Sequence, residues 1–140
     1  MTIKQISVFL ENQSGKLAEL TACLSQKGIN LRAISVAEAS DFGIIRFIVD
    51  DIFNAVTVLK DADYVCTLTD VLAIEIKDEA GSLAKMISVL GANGINVEYM
   101  YAIAASKKDV AYMVVRVDDN KKAETVLKNS GIRTVSIEQL

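Results

Sequence analysis

Two short loops carry the residues best suited to hold a ligand. Asn12-Gln13-Ser14-Gly15-Lys16-Leu17 and Asp78-Glu79-Ala80-Gly81-Ser82-Leu83 each stand where an alternating apolar segment gives way to a helically spaced one. The N–H groups of a helix's first turn are unpaired and, reinforced by the helix dipole, form a seat for a carboxylate. A glycine in such a loop lets a ligand approach the backbone. The first loop is amide-rich with Lys16 nearby and suits a carboxylate, whereas Asp78 and Glu79 in the second would repel one and hold an ammonium group instead. Capping competes with this reading: Asn12, Ser14 or Asp78 can satisfy the same N–H groups, leaving Gly15 and Gly81 to serve the turn alone.

Other chemistry finds little support. The chain contains no histidine, which removes triads and most general bases that operate at neutral pH. Cys23 and Cys66 lack the short spacing of a redox or zinc motif, and Cys23 reads as a small buried thiol. Scattered carboxylates such as Glu38 and Asp109 are the only candidate bases, so no enzyme, metal or cofactor is expected. The net charge of −3 and pI near 5.0 lack the electrostatic footprint of a nucleic-acid binder. No apolar run approaches the roughly 18 residues of a membrane span, and the patterned segment from Ile6 leaves no room for a signal peptide. A soluble, cytoplasmic protein is expected.

The elements that must position the two loops are themselves repeated. A shift of 66 positions carries Gly15-Lys16-Leu17-Ala18 onto Gly81-Ser82-Leu83-Ala84, Leu24 onto Leu90, and Gly28-Ile29-Asn30 onto Gly94-Ile95-Asn96. Past a longer turn at Lys107-Lys108-Asp109, the register slips by two and Val49-Asp50-Asp51 falls on Val117-Asp118-Asp119. The repeat divides the chain into 1–69 and 70–140, each near the lower size limit for folding alone.

Each half reads strand, helix, strand, strand, helix, strand. Ile6, Val8 and Leu10 alternate with polar residues, as do Leu72, Ile74 and Ile76. Leu17, Leu20, Thr21 and Leu24 form a helical stripe, matched by Leu83, Met86, Ile87 and Leu90, and these leucines are expected to be buried. Gly28 and Gly94 read as left-handed helix ends followed by Ile29 and Ile95. Second strands are expected over 30–39 and 96–105, third strands over 44–49 and 110–117, and fourth strands over 64–68 and 132–137. Asp50-Asp51 and Asp118-Asp119 open the second helices.

This pattern packs most simply as an α+β protein of two tandem ferredoxin-like βαββαβ modules, with antiparallel sheets and helices on one face. Ile44, Ile48, Tyr112 and Val114 make the opposite sheet face apolar too, so another sheet or a second copy is expected to cover it and the protein to form a homo-oligomer. Asn30 and Asn96 open the second strands, at the far end of the first helix from Gly15 and Gly81. Two adjoining halves could bring both features to one ligand; alternatively, the amides satisfy turn backbone groups. Tyr99 and Tyr101 replace Ala33 and Ser35, adding aromatic surface for a pocket or for packing.

The two runs from Asn12 to Ala18 and Asp78 to Ala84, each followed by a leucine and then Gly-Ile-Asn, resemble the signature of the ACT domain. The resemblance spans the chain as two tandem copies and implies the βαββαβ fold, side-by-side pairing, and binding of amino acids or related metabolites between domains. By that resemblance the site comprises Asn12, Gln13, Ser14, Gly15, Lys16 and Leu17 with Gly28, Ile29 and Asn30, and Asp78, Glu79, Ala80, Gly81, Ser82 and Leu83 with Gly94, Ile95 and Asn96. Many ACT domains carry proline before the motif glycine, where this chain has Ser14 and Ala80 and no proline anywhere, which implies a less pre-organised loop. Nothing is left over once both copies are counted, so the expectation is a free-standing sensor acting on a metabolic enzyme or regulator. The alternative is a structural or regulatory subunit with no ligand of its own.

Overall fold

The computed structural model describes residues 1–104 and 107–140. The chain divides into two compact units: a first module, Lys4–Thr69, and a second, Asp70–Leu140 together with Met1–Ile3. The first holds β1 (Ile3–Glu11), α1 (Lys16–Gln26), β2 (Leu31–Ala39), β3 (Phe42–Val49) and α2 (Ile52–Asp61), closed by the first residues of β4 (Cys66–Lys77). The remainder of β4 opens the second module, followed by α3 (Ser82–Ala92), β5 (Val97–Ile103), β6 (Val110–Val117), α4 (Asn120–Asn129) and β7 (Arg133–Thr134). Strand order is β2-β3-β1-β4 in the first module and β5-β6-β4 in the second, with β7 also on β4. Each module is ferredoxin-like.

In each module the helices and one sheet face share a core. Ile6, Val8, Ile45 and Phe47 meet Leu20, Leu24, Ala55 and Leu59 in the first. Leu72, Ile74, Val115 and Val117 meet Met86, Leu90, Ala123 and Leu127 in the second. Asp51 and Asp119 cap α2 and α4, accepting the N–H groups of Asn54 at 3.0 Å and Lys122 at 3.1 Å. Helices α1, α2, α3 and α4 close with the same paired bonds: for α1, the Ile29 and Gly28 N–H groups donate to Leu24 and Ser25 carbonyls, each at 3.0 Å.

Several sequence expectations are corrected. Leu17 and Leu83 are 38% and 41% exposed, although Leu20, Leu24, Met86 and Leu90 are buried. A helical side chain leans toward the N-terminus, so a leucine in the first turn projects past the end of the sheet its stripe covers further along. Residues 66–68 of the expected strand 64–68 and the strand after Asp70 are parts of one, β4, because no glycine or proline interrupts the backbone there, while 64–65 precede it. The last strand shrinks to Arg133–Thr134. Beyond it Ser136 and Gln139 cap one another around a 3-10 turn, Ile137–Gln139, which diverts the backbone from the ladder. Strand β5 ends at Ile103, and Ala105, expected within it, lies outside the described residues.

Ile48, Tyr112 and Val114 are at most 1% exposed within a single chain, and Ile44 is half-buried. Apolar residues on both faces mark a strand covered twice, but the pattern does not say which chain supplies the cover. Cys23 is free and half-buried rather than buried. Both edge strands contain a bulge: pairing with the neighbour shifts register between Leu31 and Ala33 in β2 and between Val97 and Tyr99 in β5. The residues it displaces are Arg32 and Glu98.

Candidate ligand-binding loops

Gly15 and Gly81 are the N-caps of α1 and α3, with φ of 87° and 92° in the left-handed region. A Cβ built on either would meet nothing within 4 Å, so both loops open outward. Tight turns precede the helices: Lys16 N–H donates to the Gln13 carbonyl and Ser82 N–H to that of Glu79, both at 3.3 Å. The next N–H groups, those of Leu17 and Ala18 and of Leu83 and Ala84, have no protein acceptor among the described residues.

Capping does not account for the polar residues of the first loop. Asn12 donates its side-chain amide to the Ser40 carbonyl at 3.1 Å and its N–H to that of Asp41 at 2.9 Å, tying the loop to the β2–β3 turn. Asp78 N–H makes the matching tie to the Asp109 carbonyl at 3.0 Å. Lys16 reaches Glu19 at 4.0 Å on an exposed surface, a contact of little energetic weight.

Gly28, Ile29 and Asn30 lie at the other end of the module. Glu11 pairs with Phe42 at the start of β3 and Leu31 with Val49 at its end, so within one module Gly15 and Asn30 do not share a site. The same holds for Lys77 with Val110 and Val97 with Val117 in the second. Asn30 donates its amide to Asp50 at 3.0 Å, and Arg32 donates to the other oxygen at 3.0 Å. The Asn30 hydrogen bond, opposed by desolvation and aided by the Arg32 guanidinium, holds the Asp50 carboxyl below its ordinary pKa. In the second module Asn96 N–H donates to Asp118 at 3.1 Å. Gly28, Ile29, Gly94 and Ile95 spend their backbone groups closing helices, and both isoleucines are buried.

Glu79 and Ser82 line a cavity of about 310 Å³ within the second module. Its other walls come from the end of β4, the start of β6, α3 itself and the turn between α4 and β7. Sequence reading missed those walls because the segments are far apart in the chain. Comparing the charges of the two copies position by position was the available signal. No cluster of His, Cys, Asp or Glu among the described residues could hold a metal ion, and no helix among them is long and apolar enough to cross a membrane.

Known proteins share this architecture. The sequence model of the ACT domain pair matches residues 1–140. The crystal structure of protein BT0572 from Bacteroides thetaiotaomicron superposes with a TM-score of 0.90 at 41% identity, over 96% of this chain and 92% of that one. The ligand-free regulatory subunit of aspartate kinase from Thermus thermophilus superposes with a TM-score of 0.69 at 20% identity, over 91% and 90%, a likeness of fold. The acetolactate synthase small subunit of Buchnera aphidicola subsp. Baizongia pistaciae is 32% identical over 75 residues, 53% of this chain. The chain spans 47% of that relative's length.

Proposed function

This chain belongs to the ACT domain pair family, and from that premise we propose that it is a sensor that binds a free amino acid or a close relative and regulates a partner enzyme. The observation that carries the reading is the twice-repeated open loop. At Gly15 and again at Gly81 a left-handed glycine, unclaimed first-turn N–H groups and an exposed leucine stand together. In neither copy does a side chain cap these groups, which leaves them to water or to a ligand.

The proposed ligand carboxylate sits on the N–H groups of Leu17 and Ala18 or of Leu83 and Ala84. The proposed site residues are Asn12 to Leu17 and Asp78 to Leu83 in the loops; Gly28 to Asn30 and Gly94 to Asn96, at the other end of each module, would touch only a ligand held by a neighbouring domain. A partner enzyme follows from the regulatory and small subunits that the chain resembles. Self-association into a homo-oligomer is part of the proposal, as the family's side-by-side pairing implies.

A thermal-shift screen of the twenty amino acids and their 2-oxo acids tests this. A ligand at a hundred times its Kd adds about 2.7 kcal/mol of stability, worth several degrees. Gly15→Ala or Gly81→Ala, which places a methyl group in the open approach to the backbone, should remove the shift at its own site. If no compound moves the melting temperature, or both variants keep the full shift, a structural subunit without a ligand replaces the sensor.

A further inference from the structure

The two copies carry opposite charge around one matched location. In the second module the cavity beside Glu79 and Ser82 is faced by Lys77, Lys85 and Arg133. The positions they occupy are held in the first module by Glu11, Glu19 and Val65, through the shift of 66 that takes Gly15 to Gly81 and the later shift of 68 that takes Asp51 to Asp119. Both modules adopt the same fold, so folding does not require cations at these positions. Their charge is left for another purpose.

The cations are not all neutralised locally. Arg133 lies 3.8 Å from Glu75, whose other oxygen accepts the Tyr112 hydroxyl at 3.0 Å. Lys77 and Lys85 have no ion-pair partner among the described residues, and Glu79 has none either. The apolar side of the cavity is Ile76, Val110 and Ile132. A volume of about 310 Å³ lies at the lower end of the range for small-molecule sites. Two unpaired ammonium groups beside an aliphatic wall match a molecule with a carboxylate at one end and a short hydrocarbon tail at the other.

We propose that this cavity binds a small aliphatic carboxylate, held by Lys77, Lys85 and Arg133, with its tail against Ile76, Val110 and Ile132. The site lies wholly in the second module, and it deepens the sensor reading, on which it rests, by assigning one ligand class to one copy. Glu79 decides between two sources of that class. It favours an α-amino acid by accepting the ammonium group, and disfavours an acid that has none.

Three five-carbon probes, L-norvaline, 2-oxopentanoate and pentanoate, with pentylamine as the control lacking a carboxylate, separate the possibilities by titration followed with two-dimensional NMR. The full chain is compared with the double variant Lys77→Glu/Lys85→Glu and with Arg133→Val. Each installs the residue that the sister copy already carries, so the fold should tolerate it. The expected result is saturable shifts around Ile76, Val110 and Ile132 for a carboxylate, tenfold or more weaker in the double variant, and none for the amine. Glu79→Gln should weaken L-norvaline and strengthen pentanoate. If a carboxylate binds but the double variant and Arg133→Val bind it equally well, this assignment is overturned while the sensor reading stands. If none of the probes binds the full chain but another amino acid shifts its melting temperature, the assignment likewise fails alone; if nothing binds at all, both fail.

Discussion

Replacing glycine by alanine at two positions of one helix should change stability in opposite directions. Gly81, the N-cap of α3, holds φ at 92°, and an added Cβ would meet nothing within 4 Å. The whole cost of Gly81→Ala is therefore conformational, about 1–2 kcal/mol for an L-residue in the left-handed region. Gly91 lies within the same helix at ordinary helical geometry, also with nothing within 4 Å of the added atom. There alanine lowers the entropy of the unfolded chain and should stabilise by about 0.5–1 kcal/mol.

With an unfolding entropy of about 2.1 cal/mol/K per residue, 140 residues give about 0.3 kcal/mol/K. Gly81→Ala should then lower Tm by about 3–7 °C and Gly91→Ala raise it by about 2–3 °C, with both shifts near doubled if the second module melts alone. Calorimetry on the three proteins measures this directly. A Gly81→Ala protein that melts within a degree of the parent, or a Gly91→Ala protein that melts lower, would refute the argument that geometry alone sets the sign.

Two further outcomes follow from side chains already described. The Asp50 carboxyl should titrate below its ordinary value of 3.8, so its contribution is intact above that value and is lost as pH falls through the lower folded pKa. Asn30→Ala and Arg32→Ala should each move the NMR midpoint upward, and a variant that leaves it unchanged would show that its side chain does not hold the carboxylate. Phe53 is 86% exposed on α2 while Leu59 is fully buried on the same helix. In urea melts Phe53→Lys should stay within about 0.5 kcal/mol of the parent, and Leu59→Ala should cost about 2–5 kcal/mol.

Periodicity and repetition make the modules legible because each core is built from residues that recur at strand or helix spacing. The pairs Gly28-Ile29 and Gly94-Ile95 could likewise be read as helix ends, since the closing bonds are local. Leu17 and Leu83 could not be read correctly: spacing puts them on the stripe, but whether a sheet lies beneath the first turn is a fact of three dimensions. Ile48, Tyr112 and Val114 announce burial without naming what buries them. The cavity beside Glu79 draws on segments joined only by folding, and Asn30 becomes an anchor for Asp50 only because β2 and β3 pair in one register.

The bulges at Arg32 and Glu98 bear on how the protein stays dispersed. Strands β2 and β5 are edges, and an edge offers unpaired backbone groups to any passing strand, which is a route to aggregation. Both copies place a bulge near the beginning of that edge, and each displaced residue is charged and tied down, Arg32 to Asp50 and Glu98 to Arg116. A bulge breaks the regular spacing of donors and acceptors and bends the strand. A foreign strand aligning with β2 would find the regular spacing of donors and acceptors interrupted at Arg32 and could pair without a break only beyond it.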